Sequence, residues 1–275
     1  MHISDSVTAK NPSLGAQNLT LGYGSKIICE ALDVNIPSGK LTVIVGPNGC
    51  GKSTLLKSLC RLLKPKQGHV MLNGEQIQRM PSKEIAKLLG FLPQSSSTPE
   101  RVSVAELVAR GRYAHQGLFS QWSPEDEQAV KQAMRITRVE EFAELSVDAL
   151  SGGQRQRVWI AMLLAQKTPI LMLDEPTTYL DISHQLELLE LFKKLNQQRG
   201  NTVVAVLHDL NQACRYADNL IVLSGGKIVA QGSPEELMTE SLVKQVFGLD
   251  SLIVPDPVTG SPMIVPKAPW IPDVL

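Results

Sequence analysis

No charge of either sign predominates in this sequence: 27 Lys and Arg stand against 27 Asp and Glu in 275 residues. A non-specific nucleic-acid binder needs a basic excess, and so does a protein drawn to membranes by charge, so both classes are excluded. Long apolar runs are missing too. The longest, Val158 to Ala165, is closed by Gln166-Lys-Thr-Pro169, whereas a membrane-spanning helix needs about 20 residues. Met1 to Gly15 is polar and lacks an apolar h-region, so no secretory signal is expected. Cysteine is scarce. Cys29, Cys50, Cys60 and Cys214 show neither metal-ligand nor disulfide-framework spacing, which reads as a cytosolic chain with reduced thiols. A chain of this length buries roughly three quarters of its unfolded surface and needs no disulfides to hold a core. Internal repeats are absent. With 43% hydrophobic and 20% charged residues, the balance is that of a soluble globular protein.

Strand and helix signals alternate along the chain. Gln17–Gly22 and Leu32–Ile36 alternate apolar and polar residues, and Leu41–Val45 is a nearly continuous β-branched run, the pattern of a strand buried on both faces. A helix is expected over Lys52–Leu63, with Leu55, Leu56, Leu59, Leu62 and Leu63 on one face. Val70–Leu72 with Asn73-Gly74 reads as a short strand and turn. From Pro81 to about Leu150 helical stretches predominate. Ser123-Pro124-Glu125-Asp126-Glu127 is a helix start, with Ser at the N-cap, Pro at the first helical position and acids in the first turn. Ile170–Leu173 and Thr202–Leu207 are buried strands. Ile182–Arg199 is an amphipathic helix stopped by Gly200, and Ser224-Gly225-Gly226 marks a hairpin. This order predicts an α/β domain with a largely parallel sheet and an inserted helical subdomain at about 95–158. The expected divisions are a tail at 1–14, the domain at 15–254, and a Pro-rich extended tail at 255–275.

Gly46-Pro47-Asn48-Gly49-Cys50-Gly51-Lys52-Ser53 fits the phosphate-loop pattern without a gap. Its glycines let successive N–H groups turn inward on a phosphate, and the following helix presents its positive end to the same anion. Lys52 is expected to reach the β- and γ-phosphates and the Ser53 hydroxyl to ligate Mg²⁺, with Thr54 next to it in the helix. Ile170–Leu173 ends in Asp174-Glu175. If this strand neighbours the one before the phosphate loop, Asp174 can hold Mg²⁺ through water, and Glu175 can deprotonate the attacking water. Leu150-Ser151-Gly152-Gly153-Gln154 opens a helix and by itself reads as a capping turn.

Leu-Ser-Gly-Gly-Gln between a phosphate loop and an Asp-Glu strand end is the signature of ABC-transporter ATPases, and the chain resembles that family over nearly its whole length. The resemblance implies a P-loop core, an antiparallel β-subdomain and a helical subdomain. It implies a homodimer packed head to tail, in which Ser151, Gly152, Gly153 and Gln154 of one subunit meet the ATP held by the other's Lys52. By the same resemblance Tyr23 stacks on adenine, Gln94 touches Mg²⁺, His208 is the switch histidine near the γ-phosphate, and Leu180-Asp181 is a subunit-contact loop. Tyr179 replaces the small residue usual there and takes no role.

Four further stretches are similar to the branch that energises import of iron-siderophores, haem and vitamin B12: Val108–His115, Trp159–Met162, Leu180–Gln185 and His208–Ala217. Within it the resemblance is to ferric enterobactin importer ATPases, supported by Asp256-Pro-Val-x-Gly260-x-Pro262. Its implications are two permease subunits, a periplasmic or lipid-anchored siderophore-binding protein, and a place at the cytoplasmic face of the inner membrane. An ATPase for haem, vitamin B12 or another siderophore class is the alternative. A soluble ABC ATPase acting on ribosomes or DNA is disfavoured by single copies of each motif and the absence of a heptad run. Residues 95 to 120 are expected to dock the permease, with Val102, Val104, Leu107 and Val108 as an apolar strip edged by Arg110 and Arg112.

Overall fold

The computed structural model describes residues 12–94, 101–117, 122–178 and 180–267. Two long strands, β1 (Leu14–Tyr23) and β2 (Lys26–Ile36), come first, and β3 (Leu41–Val45) leads into helix α1 (Lys52–Leu59). A hairpin of β4 (Gln67–Leu72) and β5 (Glu75–Gln76) precedes α2 (Ser82–Leu88) and β6 (Leu89–Leu92). The helices α3 (Val104–Ala109), α4 (Pro124–Ile136) and α5 (Gly152–Ala165) follow. The chain then alternates through β7 (Ile170–Asp174), α6 (Ile182–Arg199), β8 (Thr202–Val206) and α7 (Leu210–Tyr216). It continues with β9 (Asn219–Ser224), β10 (Lys227–Gly232), α8 (Pro234–Leu237) and α9 (Glu240–Phe247). A hairpin of β11 (Ser251–Pro255) and β12 (Pro262–Pro266) completes the described chain.

The main sheet has the order β10-β9-β3-β8-β7-β6. β9, β3, β8, β7 and β6 run parallel, and β10 returns antiparallel through the Gly225-Gly226 turn. Every residue of β3, β7 and β8 is buried, which is why these strands read as continuous apolar runs. Successive side chains feed opposite faces. Ile44, Met172, Val204 and Leu223 pack with α1 and the second sheet, while Val43, Leu171, Val203 and Val222 pack against α6 and α7. The second sheet, β2-β1-β4-β5, is wholly antiparallel and covers the α1 side. A third core joins α3, α4 and α5. Helix α5 bridges two cores: Ile160 and Leu163 face the main sheet, Val158 and Ala161 face the helical subdomain.

The structure moves several sequence-based boundaries. Helix α1 stops at Leu59, not Leu63. Arg61 adopts a positive φ of 60°, and the N–H groups of Leu62 and Leu63 both turn back to the Lys57 carbonyl. Leu62 is consequently 61% exposed rather than part of the apolar face. β6 lies within the stretch read as mainly helical and belongs to the main sheet. The Pro-rich end is a hairpin whose first strand begins at Ser251, so the expected boundary at 254/255 cuts through a structural unit. Pro255 and Pro262 face each other at its turn end, where a missing N–H is tolerated. Residues 1–11 of the expected tail, 95–100 and 118–120 of the expected docking segment, Tyr179, and 268–275 lie outside the described residues.

The expected docking strip is core. Val104 and Val108 are fully buried, Leu107 nearly so, and Val102 joins them in the helical subdomain. Apolar residues at this spacing face inward as readily as outward, and α4 and α5 supply the partner surface. Arg112 is also interior: its Nε stands 2.7 Å from Asp126 Oδ1 and its Nη1 donates to the Ala165 carbonyl at 2.8 Å. Ser123 caps α4 with Pro124 at the first position, as its sequence predicts, in a reciprocal capping box with Asp126.

Candidate nucleotide site

The loop of residues 46–51 links the buried strand β3 to α1. Its curvature requires glycine at two places. Gly46 has φ 154°, and a Cβ there would lie 2.1 Å from the Leu223 carbonyl oxygen; Gly51 has φ 108°, and a Cβ would lie 2.4 Å from Cys29 Sγ. Helix α1 carries no side-chain cap at its N-terminus, leaving its first-turn N–H groups to an anion. Lys52 is 5% exposed and folds back over the loop, its Nζ donating to the carbonyls of Gly46 (2.8 Å) and Pro47 (3.0 Å). A buried ammonium held, among the described residues, only by neutral carbonyls is poised to exchange them for phosphate oxygens.

The strand before this loop and the strand of Asp174 are not neighbours, contrary to the condition set from sequence: β8 lies between β3 and β7. Contact is made from above the sheet. Helix α1 crosses over β8 to β7, and Ser53 Oγ donates to Asp174 Oδ1 at 2.7 Å. Asp174 is 1% exposed, and among the described residues its Oδ2 has no hydrogen-bond partner. Burial pushes its carboxyl above the usual range; Ser53 and Lys57 offset this only in part.

Glu175, the next residue, sits in the left-handed region with φ 52°, an unusual conformation for a non-glycine residue and one that clusters at functional sites. Its Oε2 accepts from Gln94 Nε2 at 2.6 Å, and its Oε1 lies 2.7 Å from His208 Nε2. Thr178 Oγ1 adds a longer contact of 3.4 Å. Gln94, Asp174-Glu175 and His208 follow the carboxyl ends of β6, β7 and β8, three adjacent parallel strands. Ligands of open α/β sheets bind in that position. The arrangement offers a phosphate cradle, a pair of buried or half-buried carboxylates, and two nitrogen donors that fix one of those carboxylates. It has the parts for deprotonating or orienting a water against a phosphate.

Other expected residues lie apart. Ser151 caps α5, and Ser151 and Gln154 bond to each other in a capping box, at 2.9 and 3.3 Å, rather than to the phosphate loop. A Cβ at Gly152 would meet nothing within 4 Å, and one at Gly153 only Leu180 at 3.5 Å. Packing among the described residues therefore does not demand either glycine. Tyr23 is half exposed at the tip of β1, opposite Lys26, while Cys29 of the following strand lies against Gly51. Sequence reasoning missed the amides that tie the site's loops together. Gln156 of α5 donates to the Pro176 carbonyl at 3.1 Å, and Gln185 and Gln212 bond each other at 2.9 Å. A glutamine on a helix gives no sequence signal of its own.

These features define a phosphate-loop ATPase with an inserted helical subdomain. The family model described as "ABC transporter" matches residues 29–178. The chain is 58% identical over 253 residues to the ferric enterobactin transport ATP-binding protein FepC of Escherichia coli K12, covering 92% of this chain and 93% of that one. Among solved structures it is similar to a metal-chelate type ABC transporter in an inward-facing conformation, with TM-score 0.78 and 29% identity over 94% of this chain and 98% of that one. It is also similar to the dimeric cassette MJ0796, with TM-score 0.72 and 31% identity over 80% and 98%. The chain belongs to the ABC transporter family. It is an ATP-binding subunit that hydrolyses ATP for transport. Among the described residues no helix is long and apolar enough to cross a membrane.

Proposed function

We propose that this chain drives import of a ferric siderophore, of the catecholate, enterobactin-like class, through a membrane permease. The observation that carries the catalytic half is the double grip on Glu175 by Gln94 and His208. Glu175 is the general base: a carboxylate oriented from both sides loses little freedom when it takes a proton from the attacking water. Lys52 and the loop amides of residues 46–54 stabilise charge on the transferred phosphoryl group. His208 holds Glu175 in register and stands where the γ-phosphate would arrive, and Tyr23 offers its exposed ring to adenine.

The residues present suit Mg²⁺. Asp174 has a buried oxygen without a partner, next to the Ser53 hydroxyl, and Gln94 supplies an amide oxygen. This is a sparse oxygen set of the kind Mg²⁺ uses when substrate phosphates and water complete its shell. Bound there, the ion would neutralise charge on the β- and γ-phosphates.

The free glycines and mutually satisfied side chains of 151–154 support a surface presented outward, to the nucleotide of a second copy. The working unit is thus a head-to-tail homodimer beneath two permease subunits at the cytoplasmic membrane face. A periplasmic or lipid-anchored binding protein delivers the cargo. Permease docking falls to exposed residues in and just beyond the 95–120 segment, Tyr113 (80% exposed) and Trp122 (44%), and not to the buried valines. The cargo assignment rests on likeness to the enterobactin relative and on the stretches singled out in the sequence. Its test is uptake of labelled ferric enterobactin by cells lacking this chain, with and without a plasmid copy. Restored uptake is expected, and restoration of haem or vitamin B12 uptake instead would replace the cargo.

A further inference from the structure

His208 is held by little of its own. Its side chain is 47% exposed, and among the described residues its polar contact is the Glu175 carboxylate. Its position must therefore come from the segments on either side, the end of β8 and the start of α7. Helix α7 has only seven residues, with Asp209 as N-cap accepting from the N–H groups of Asn211 and Gln212. A helix of two turns does not hold itself, and α7 buries just Ala213, Cys214 and Tyr216.

The C-terminal hairpin supplies what α7 lacks. The Ile264 N–H donates to Asn211 Oδ1 at 2.7 Å, and Asn211 Nδ2 donates back to the Ile264 carbonyl at 3.2 Å. The side chain thereby pairs with strand β12 as another strand's backbone would. One turn further on, Arg215 donates to Asp256 Oδ2 through Nη2 (2.6 Å) and Nε (3.1 Å). The other Asp256 oxygen receives the N–H groups of Val258 and Thr259, so the same carboxylate shapes the hairpin's turn. Those N–H groups and the Arg215 guanidinium hold the Asp256 carboxyl below its ordinary range. A third tie leaves α7 from Gln212, which donates to Gln185 Oε1 at 2.9 Å; Gln185 in turn donates to the Leu180 carbonyl at 2.9 Å. Three stretches that the sequence singles out separately, Leu180–Gln185, His208–Ala217 and Asp256–Pro262, are thus one connected assembly around α7.

We infer that the C-terminal hairpin is a brace for the switch histidine, and that Asn211, Arg215 and Asp256 are positioning residues which set His208 against Glu175. This rests on the reading of His208 given above. The brace acts through geometry, so its loss should slow turnover and leave nucleotide binding intact, since small misplacements at a reacting centre cost rate far more than affinity.

The test uses the purified full chain. Asn211→Ala should lower kcat about tenfold while KM for ATP stays within about twofold. Melting should fall by no more than a few degrees, since two hydrogen bonds are lost and the buried face of α7 is kept. Arg215→Ala should lower kcat as well, and Arg215→Lys, which keeps a cation for Asp256 Oδ2, should retain most of it. Combined with His208→Ala, Asn211→Ala should add no further loss to the residual turnover, the mark of two residues acting as one. Parent-like kcat in Asn211→Ala and Arg215→Ala would overturn the brace, as would a full additional loss on the His208→Ala background. If Asn211→Ala fails to fold, Arg215→Ala against Arg215→Lys carries the same test. Normal turnover of His208→Ala would remove the role of His208 itself, whereas an impaired His208→Ala beside normal Asn211 and Arg215 variants removes the brace alone.

Discussion

The Ser53 hydroxyl meets Asp174 at 2.7 Å although a whole strand, β8, separates their parent strands. Helix α1 makes the meeting possible by lying across the sheet, and the result is a carboxylate taken out of water with one oxygen unpartnered.

Asp174 therefore costs stability in the absence of nucleotide. Burial raises its carboxyl above the usual range, so the folded chain binds more protons there than the unfolded chain. The contribution to stability then falls as pH rises from the ordinary carboxylate range through the raised value, and the cost is complete above it. Asp174→Asn keeps an acceptor for Ser53 and removes the charge. Its melting temperature without nucleotide should exceed the parent's at neutral pH by a few degrees, on the order of 1 kcal/mol or less, and the gain should vanish in acid. ATP turnover should be lost. A lower melting temperature at neutral pH would contradict the placement.

Lys52→Ala removes the ammonium that the Gly46 and Pro47 carbonyls now hold. ATP affinity measured by calorimetry should fall, by about 1.5–3 kcal/mol for a charge-assisted contact, and hydrolysis should stop. Unchanged affinity would dismiss the loop as the nucleotide cradle.

Arg112 and Asp126, each with a side chain 7% exposed, form a buried ion pair in the helical subdomain. Burial alone would raise Asp126; the hydrogen bonds from Arg112 and Ser123 bring it below the usual range instead. Arg112→Ala strands that carboxylate and should cost about 3–5 kcal/mol in chemical denaturation. A parent-like midpoint would return Arg112 to the edge of the docking strip expected from the sequence.

The chemistry was more legible than the layout. The phosphate loop, Asp174-Glu175, the Ser123-Pro124 helix start and the Gly200 stop are local signals, written in adjacent residues, and the structure places each where its local physics requires. Strand order is not local, so nothing in the chain said that β8 would divide β3 from β7. The spacing of Val104, Leu107 and Val108 is the same for an inward and an outward face, and only α4 and α5 decide between them. The turn at Arg61 that shortens α1 needs a positive φ at a residue which rarely adopts one. Prolines made the C-terminal segment look irregular, yet Pro255 and Pro262 stand at the ends of paired strands, where they do no harm. The grip of Gln94 and His208 on Glu175 required three strands to be brought together before it existed at all.

That grip is the centre of the account, and Glu175→Gln tests it most directly. Glutamine keeps the size of Glu175 and one acceptor oxygen for its two partners, and cannot accept the proton. In purified protein with ATP and Mg²⁺, turnover should fall about 10²–10⁴-fold, while ATP still binds and a nucleotide-loaded dimer accumulates in size-exclusion chromatography. Turnover at the parent rate would contradict the assignment of Glu175 as the base.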